Sequence, residues 1–411
     1  MAVDASADLT ALNSALELIQ TGRFSDSISD LRLLLNRIPF DEQTLGRLID
    51  ASLAAGEISF ASEIAQRVAF LDRGRPLLDR NFGGRDYNTG PANMLSLGKL
   101  HHDAEQLRYL MKKGVLDFGY EQVASAYEHA ISELELGDDA ARADITSSND
   151  PILLRCFSRN LHVASIPRTE GNAISLAHAP SEIEARFLHH PLGLVVIDDF
   201  LTDEALHGLR KFCLESTIWH ANRYSHGRLG AFFRGGFSTP LLAQIAEELR
   251  DLFPRIIGRR HALTQIWGFK YGYMQPRMPA HADFAAVNVN FWLTDERANL
   301  TPDHGGLVLY DVEAPEDWSH HDYNRNGQAI TQYLAAQQAK GLYVPYKANR
   351  AVIFNSRLFH RTELFRFGER YEDRRVNVTM LYGRRGRLGR RLRRAPQPSA
   401  TMAPSASPRD W

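Results

Sequence analysis

From about residue 190 onward, apolar and polar positions alternate over short stretches. TQIWGFKYGY puts Trp267, Phe269, Tyr271 and Tyr273 on one face, and AVNVNFWL puts Asn288 and Asn290 together on another. GGLVLYD, YVPY, AVIF and RVNVTMLY continue the series. A period of two marks a strand with two different faces. Ahead of these, LGLVVIDDF (192–200) is an apolar, β-branched run that predicts a buried strand. Two helices follow it. One starts after Thr202 and carries Leu206, Leu209 and Phe212; the other opens at Thr239-Pro240 and carries Leu242, Ile245, Leu249 and Leu252. Many short strands after a helix pair predict a β-sandwich or barrel with helices on its outer side.

The first third has a helical period instead. Residues 11–39 laid over 45–73, a shift of 34, match Ile19 with Leu53, Gly22 with Gly56, Phe24 with Ile58, Ser27 with Ala61, and Leu34 with Val68. Each unit reads as helix, glycine turn, helix, with Pro39 stopping the first. This resembles the tetratricopeptide repeat family over about two units. The resemblance implies a groove for a protein partner; a scaffold packed on the next domain is the alternative. A third hairpin is predicted from Leu100, Ala104, Leu107 and Met111, then Gly114, then Val123, Tyr127, Ala130 and Leu134. His101 and His102 diverge by about 100° on such a helix, so both are read as structural or surface residues. Residues 72–96 read as a broken connection.

Length and composition support this division. At 411 residues the chain exceeds one ordinary core, and 44% apolar with 24% charged residues describes a water-soluble globular protein. The predicted fold class is α+β with two domains: a tetratricopeptide-like all-α domain at 1–136, a junction at 137–188, and a β-domain with flanking helices at 189–383. A basic tail, 384–411, holds Arg384, Arg385, Arg387, Arg390, Arg391, Arg393 and Arg394. It is read as a solvated, disordered extension; nucleic acid is not expected as a partner except through these arginines. Cys156 and Cys213 fit a reducing compartment. Neither a signal peptide nor a membrane span is expected, which makes the cytoplasm the default location.

The chemistry concentrates in YGYMQPRMPAHADFAAVNVNFWL, residues 271–293. His281 and Asp283, two apart where a turn runs into a strand, would lean the same way. They supply two members of a 2-His-1-carboxylate iron site. Further along come Gly305-Gly306 before a strand, Asn349-Arg350 before AVIF, His360 six residues past Phe354, and Arg375 opening RVNVTMLY.

This ordered set resembles the Fe(II)- and 2-oxoglutarate-dependent oxygenases, in particular their prolyl-hydroxylase-like branch, over roughly residues 190–383. The resemblance implies a double-stranded β-helix (jelly roll), iron held by His281, Asp283 and His360, and Arg375 holding the distal carboxylate of 2-oxoglutarate. It also implies Fe(II), 2-oxoglutarate and O2 as cofactor and cosubstrates, with ascorbate a candidate auxiliary, and release of succinate and CO2. Three ligands on one face of an octahedron leave room for a bidentate 2-oxo acid and dioxygen. A guanidinium presents paired donors to a carboxylate. Alternation puts Arg375, Asn377 and Thr379 on one face and its rival Arg374 on the other. Many members carry Ser or Thr where this chain has Asn377. Tyr271 and Tyr273 are candidates for the other end of 2-oxoglutarate, or simple packing residues; Asn288 and Asn290 are candidates for cosubstrate or substrate contact. Halogenating relatives replace the carboxylate ligand, and Asp283 argues against that outcome. The insertion at about 312–341, with APEDWSHHDYN, reads as a lid or a surface loop. The expected activity is hydroxylation of a peptide or protein side chain or of a small, carrier-bound or free molecule. The alternative is a non-catalytic repeat adaptor with a structural β-domain.

Overall fold

The computed structural model describes residues 42–73, 94–135, 142–144, 150–222 and 226–385, with positions 17 and 148. α1 (Glu42–Ala55) and α2 (Ile58–Arg73) are joined through Gly56, whose φ of 92° suits glycine. β1 (Met94–Ser96), α3 (Leu97–Lys112), α4 (Glu121–Glu135), β2 (Arg142–Asp144) and α5 (Pro151–Cys156) follow. Next come α6 (Pro180–His189), β3 (Leu194–Ile197), α7 (Asp203–Glu215), β4 (Leu229–Phe232), α8 (Pro240–Leu252), β5 (Leu263–Lys270), β6 (Met274–Gln275) and β7 (Val287–Trp292). The chain continues with β8 (Leu307–Glu313), α9 (His320–Asn324), α10 (Gly327–Ala336), β9 (Gly341–Val344), β10 (Ala351–Asn355), β11 (Leu358–Thr362), β12 (Phe365–Arg366) and β13 (Val376–Tyr382).

The strands β3-β10-β7-β13-β5-β4 form a six-stranded sheet, and β11-β8-β9 a three-stranded one, with β12-β6 as a small ribbon. Every pairing among them is antiparallel. Strand alternation decides what each face of the large sheet meets. Val287, Val289 and Phe291 of β7 and Val376, Val378, Met380 and Tyr382 of β13 join the core beneath α7 and α8. The opposite face carries Trp292, Val352 and Phe354, which pack with Leu307, Leu309, Val344 and Leu358 of the smaller sheet. The interior between the sheets is therefore apolar at one end, while Asn288, Asn377, Thr379 and Arg375 bring buried polar groups into it. The helix starts follow their sequence signals in part: the Thr202 side chain accepts from Ala205 N–H and Pro240 opens α8, but the Thr239 side chain makes no cap bond and donates instead to the Ile166 carbonyl.

The repeat expectation meets only its second unit here, since the first, apart from Glu17, lies outside the described residues. In that second unit the apolar faces of α1 and α2, including Leu45, Ile49, Phe60, Ile64 and Val68, share one continuous core with α8 and the large sheet. That face is covered by the β-domain. α3 and α4 form a separate core with α5. They are fastened to the β-domain through a polar seam: Arg374 pairs with Glu105 at 2.8 Å, and Gln106 donates to the Leu214 and Ser216 carbonyls.

Lys270 sits at the centre of this seam, fully buried, with its ammonium 4.6 Å from the Trp219 ring and 4.7 Å from the Tyr371 ring. It donates to the Tyr371 hydroxyl at 2.6 Å, which donates in turn to the Leu214 carbonyl. Burial pushes the Lys270 pKa well below the ordinary lysine value. Removing the acceptor should therefore leave a buried donor unsatisfied. Tyr371→Phe is expected to lower stability by about 1–3 kcal/mol, read as a lower urea midpoint. Adding Lys270→Met should restore much of that loss, because both polar partners are then gone.

Candidate active site

The HxD pair lies in extended chain just before β7. His281 forms a single antiparallel bridge with His360, each backbone N–H bonding the other's carbonyl at 2.9 and 2.8 Å. Asp283 is held by its N–H to the Ser356 carbonyl, and the intervening Ala282 N–H bonds the Tyr323 carbonyl. The expected strand is present as β7, reached through a bend at 284–286; the pair itself is anchored to β11 and the insertion, and both side chains point the same way. β11 then delivers His360 to the same point.

One ligand atom from each of His281, Asp283 and His360 lies within 4.8 Å of the others. Among the described residues this is the one such group of His, Cys, Asp and Glu. The two imidazoles are 4.4 Å apart, and the His360 ring sits edge-on to Phe354 at 5.0 Å. His360 Nδ1 is 3.0 Å from the Leu358 carbonyl, which selects the tautomer with the proton on Nδ1. Nε2 then presents a lone pair to Asp283 Oδ2, 3.5 Å away. Two acceptors facing each other in a buried site require a proton or a cation between them.

Electrostatics agree with a cation. Burial, then the neighbouring His360, lowers the His281 pKa to about 4. Burial alone would raise the Asp283 carboxyl, but the His360 imidazole when protonated, with His281 and the Asn288 amide, holds it below the usual carboxylate range, as a metal cation between the two would. Asn288 Nδ2 donates to Asp283 Oδ2 at 2.7 Å and so fixes the carboxylate's orientation. The contact follows from Asn288 facing inward on β7.

Arg375 is 2% exposed. Its Nε donates to the Gly305 carbonyl at 3.0 Å and its Nη1 to Asn377 Oδ1 at 3.3 Å. The guanidinium stands 5.0 Å from the Tyr271 ring and 5.1 Å from Phe365, with Trp292 and Tyr346 at 5.7 and 5.6 Å. No carboxylate pairs with it among the described residues. Burial lowers its pKa from the ordinary arginine value, yet a guanidinium stays charged. A buried cation without an anion is costly, so this position suits an anion brought by a ligand. Arg374 points away, into its pair with Glu105.

A polar track crosses the interior between these two points. Arg375 contacts Asn377, Asn377 Nδ2 donates to Thr379 Oγ1 at 3.4 Å, and Asn290 Nδ2 donates to the same oxygen at 3.0 Å. Cross-strand pairing of Thr379 with Asn290 sets this up. Asn288 Oδ1, Asn290 Oδ1 and the Tyr343 hydroxyl are buried with no hydrogen-bond partner. These orphaned groups mark a space fitted to a polar occupant or water. The glycine pair has a job here: Gly305 has φ 87° and offers its carbonyl to Arg375, while a Cβ on Gly306 would collide with the Val344 carbonyl.

Tyr273 departs from expectation. β5 ends at Lys270 and the chain bends at Tyr273 itself, so alternation stops and Tyr273 is 50% exposed. Tyr271 stays inside, 2% exposed. The insertion is ordered: α9 and α10 pack Tyr323, Ile330 and Leu334 against Ala282 and Phe359. Asn324 Nδ2 donates to the Ala282 carbonyl, so this segment also buttresses the HxD turn. Its SHHD start forms a capping box between Ser319 and Asp322, a signal legible in the sequence. Arg385, assigned above to a solvated tail, instead lies 4.0 Å over the Tyr323 ring and donates to the Ala314 and Pro315 carbonyls at 2.6 Å. Residues 386–411 lie outside the described residues.

A cavity of about 740 Å³ opens over His281 and Asp283. Arg228, Phe232, Trp267, Phe269, His320 and Arg325 line it, none of which the sequence reading singled out for the site.

No protein-family profile matches this sequence, and no curated protein matches it. Solved structures do. A non-haem α-ketoglutarate-dependent carbocyclase, SnoK, from nogalamycin biosynthesis is similar at 14% identity over 52% of this chain and 86% of its own, with a TM-score of 0.35. A Pseudomonas putida prolyl-4-hydroxylase is similar at 13% identity over 53% of this chain and 100% of its own, at TM-score 0.30. HygX from Streptomyces hygroscopicus, with nickel and 2-oxoglutarate bound, is similar at 14% identity over 50% of this chain and 87% of its own, at 0.33. At these values the likeness carries no functional weight.

Proposed function

We propose that this chain is a non-haem Fe(II)- and 2-oxoglutarate-dependent dioxygenase that hydroxylates a substrate entering over His281. The observation that carries this is that a His-Asp-His ligand triad and a buried Arg375 with no carboxylate partner among the described residues share the interior between the two sheets. His281, Asp283 and His360 would hold iron, and Arg375 would hold the distal carboxylate of 2-oxoglutarate. Tyr271 walls that end, Asn377 positions the guanidinium, and Asn290 and Thr379 offer polar contacts along the cosubstrate. The bound metal supplies activation of O2 coupled to decarboxylation of 2-oxoglutarate, so that R–H, O2 and 2-oxoglutarate become R–OH, succinate and CO2. The protein's own part is to hold three ligands in register, orient the oxo acid and exclude water. A structural β-domain in an adaptor leaves the buried Arg375 charge unexplained. The test is stoichiometric: succinate should form only with Fe(II), 2-oxoglutarate and O2 together, and none forming in folded, metal-loaded protein under any substrate condition would reject the reading.

The His281 imidazole should also have a distinctive titration. With its pKa at about 4, it is neutral through the weakly acid range. In the metal-free full chain its ring resonances should hold their neutral positions from about pH 7 to about pH 5 and move only as pH approaches about 4, read by NMR. Protonation of this ring already at about pH 6.5, where an ordinary exposed histidine titrates, would contradict this environment for His281.

A further inference from the structure

We propose that the cavity over His281 recognises a small organic molecule with a planar apolar body and one anionic group, a carboxylate or a phosphate. The proposal rests on the oxygenase reading for what happens to that molecule; recognition stands on the cavity alone.

The apolar part comes from an aromatic wall. Phe232 of β4 and Trp267 and Phe269 of β5 meet edge-on, with centroids 6.2, 6.3 and 6.4 Å apart. Phe232 and Trp267 belong to none of the buried apolar clusters, and all three rings are only partly buried. Elsewhere in the same sheet Phe291 and Phe354 are sealed completely. Leaving ring surface open to water costs about 25 cal/mol per Å². A ligand with a flat apolar face would recover that cost by stacking on the wall.

The anionic part follows from the charges. Arg228, Arg325 and His320 line the cavity, and the one acidic group lining it is Asp283, which belongs to the metal triad. The Arg228 guanidinium lies 5.0 Å over Phe269, at the edge of the wall. Arg325, following α9, makes no side-chain hydrogen bond or ion pair among the described residues, so its fork of donors is available at the rim. Guanidinium groups beside an apolar wall form a site for a carboxylate or phosphate on a ring system. A cleft lined by one sign of charge also concentrates ligands of the other sign. The volume, about 740 Å³, is that of a small-molecule pocket.

The probe pair is 2-naphthoate and 2-naphthamide, nearly identical in shape and different in charge, titrated by calorimetry into the full chain with Mn(II) and 2-oxoglutarate. Naphthoate should bind at least about tenfold more tightly. Arg325→Gln, a change at an exposed residue, should cut that preference to about threefold or less, and Phe232→Leu should weaken both ligands together. Equal binding of the two, or an unchanged preference in Arg325→Gln, overturns the proposal. So does competition between naphthoate and 2-oxoglutarate, which would put the anion at Arg375. Failure to bind metal or 2-oxoglutarate would sink the oxygenase reading instead, and the same titration without either would still decide the recognition claim.

Discussion

Arg375→Met should abolish productive use of 2-oxoglutarate while leaving the fold at least as stable as before. The guanidinium is buried among Tyr271, Trp292, Tyr346 and Phe365, with no carboxylate beside it among the described residues. Removing one member of a buried charge pair costs about 3–5 kcal/mol, and in the proposed function the partner is the distal carboxylate of the cosubstrate. The apparent 2-oxoglutarate affinity should thus fall by about 10²- to 10³-fold. Methionine has similar length and suits an aromatic cage, and it also removes the cost of an unpaired buried cation. Loss of affinity with unchanged or raised melting temperature, and with Mn(II) binding intact, separates cosubstrate binding from a structural role. Arg375→Lys should fall between the two, since it keeps the charge and loses the paired donors.

His360→Ala should remove metal binding without unfolding the barrel. The His281–His360 bridge is made by backbone groups, so alanine preserves it. What disappears is the Nε2 lone pair facing Asp283. We expect Mn(II) affinity to fall by more than about 100-fold and succinate formation to fall to background. Asn288→Leu provides a graded comparison. It removes only the donor that orients the Asp283 carboxylate, and should weaken metal binding by about 10- to 100-fold. Equal losses in the two variants would mean that Asn288 acts on folding and not through Asp283.

Much of this geometry could be read along the chain because it sits on a central strand. β13 pairs on both sides, so its alternation is enforced at Asn377 and Thr379, and Arg375, one residue ahead of the strand, joins them through its contact with Asn377. HxD was legible as a pair of side chains but not as local structure, because the groups that satisfy its backbone, on Ser356, His360 and Tyr323, are distant in sequence. Tyr273 failed because β5 ends at Lys270 and the chain bends at Tyr273 before β6 begins. The cavity wall was the least visible feature. Phe232 lies on a four-residue strand, and Arg325 follows a five-residue helix, both too short for a period to register. Arg385 looked like one more tail arginine until the fold placed Tyr323 beneath it. In the N-terminal region, the period of 34 suggested a repeat, but it could not say that α1 and α2 spend their apolar faces on the β-domain.

The proposed site places Fe(II) on His281, Asp283 and His360 in the same interior where Arg375 would bind 2-oxoglutarate. It is tested most directly by anaerobic addition of Fe(II) and then 2-oxoglutarate to the full chain, followed by visible absorption. A weak charge-transfer band should develop only when both are present, at one equivalent of each, and should be absent in His281→Ala and shifted to much higher 2-oxoglutarate in Arg375→Met. Folded protein that binds Fe(II) but gives no band at saturating 2-oxoglutarate, or a band indifferent to both substitutions, would contradict it.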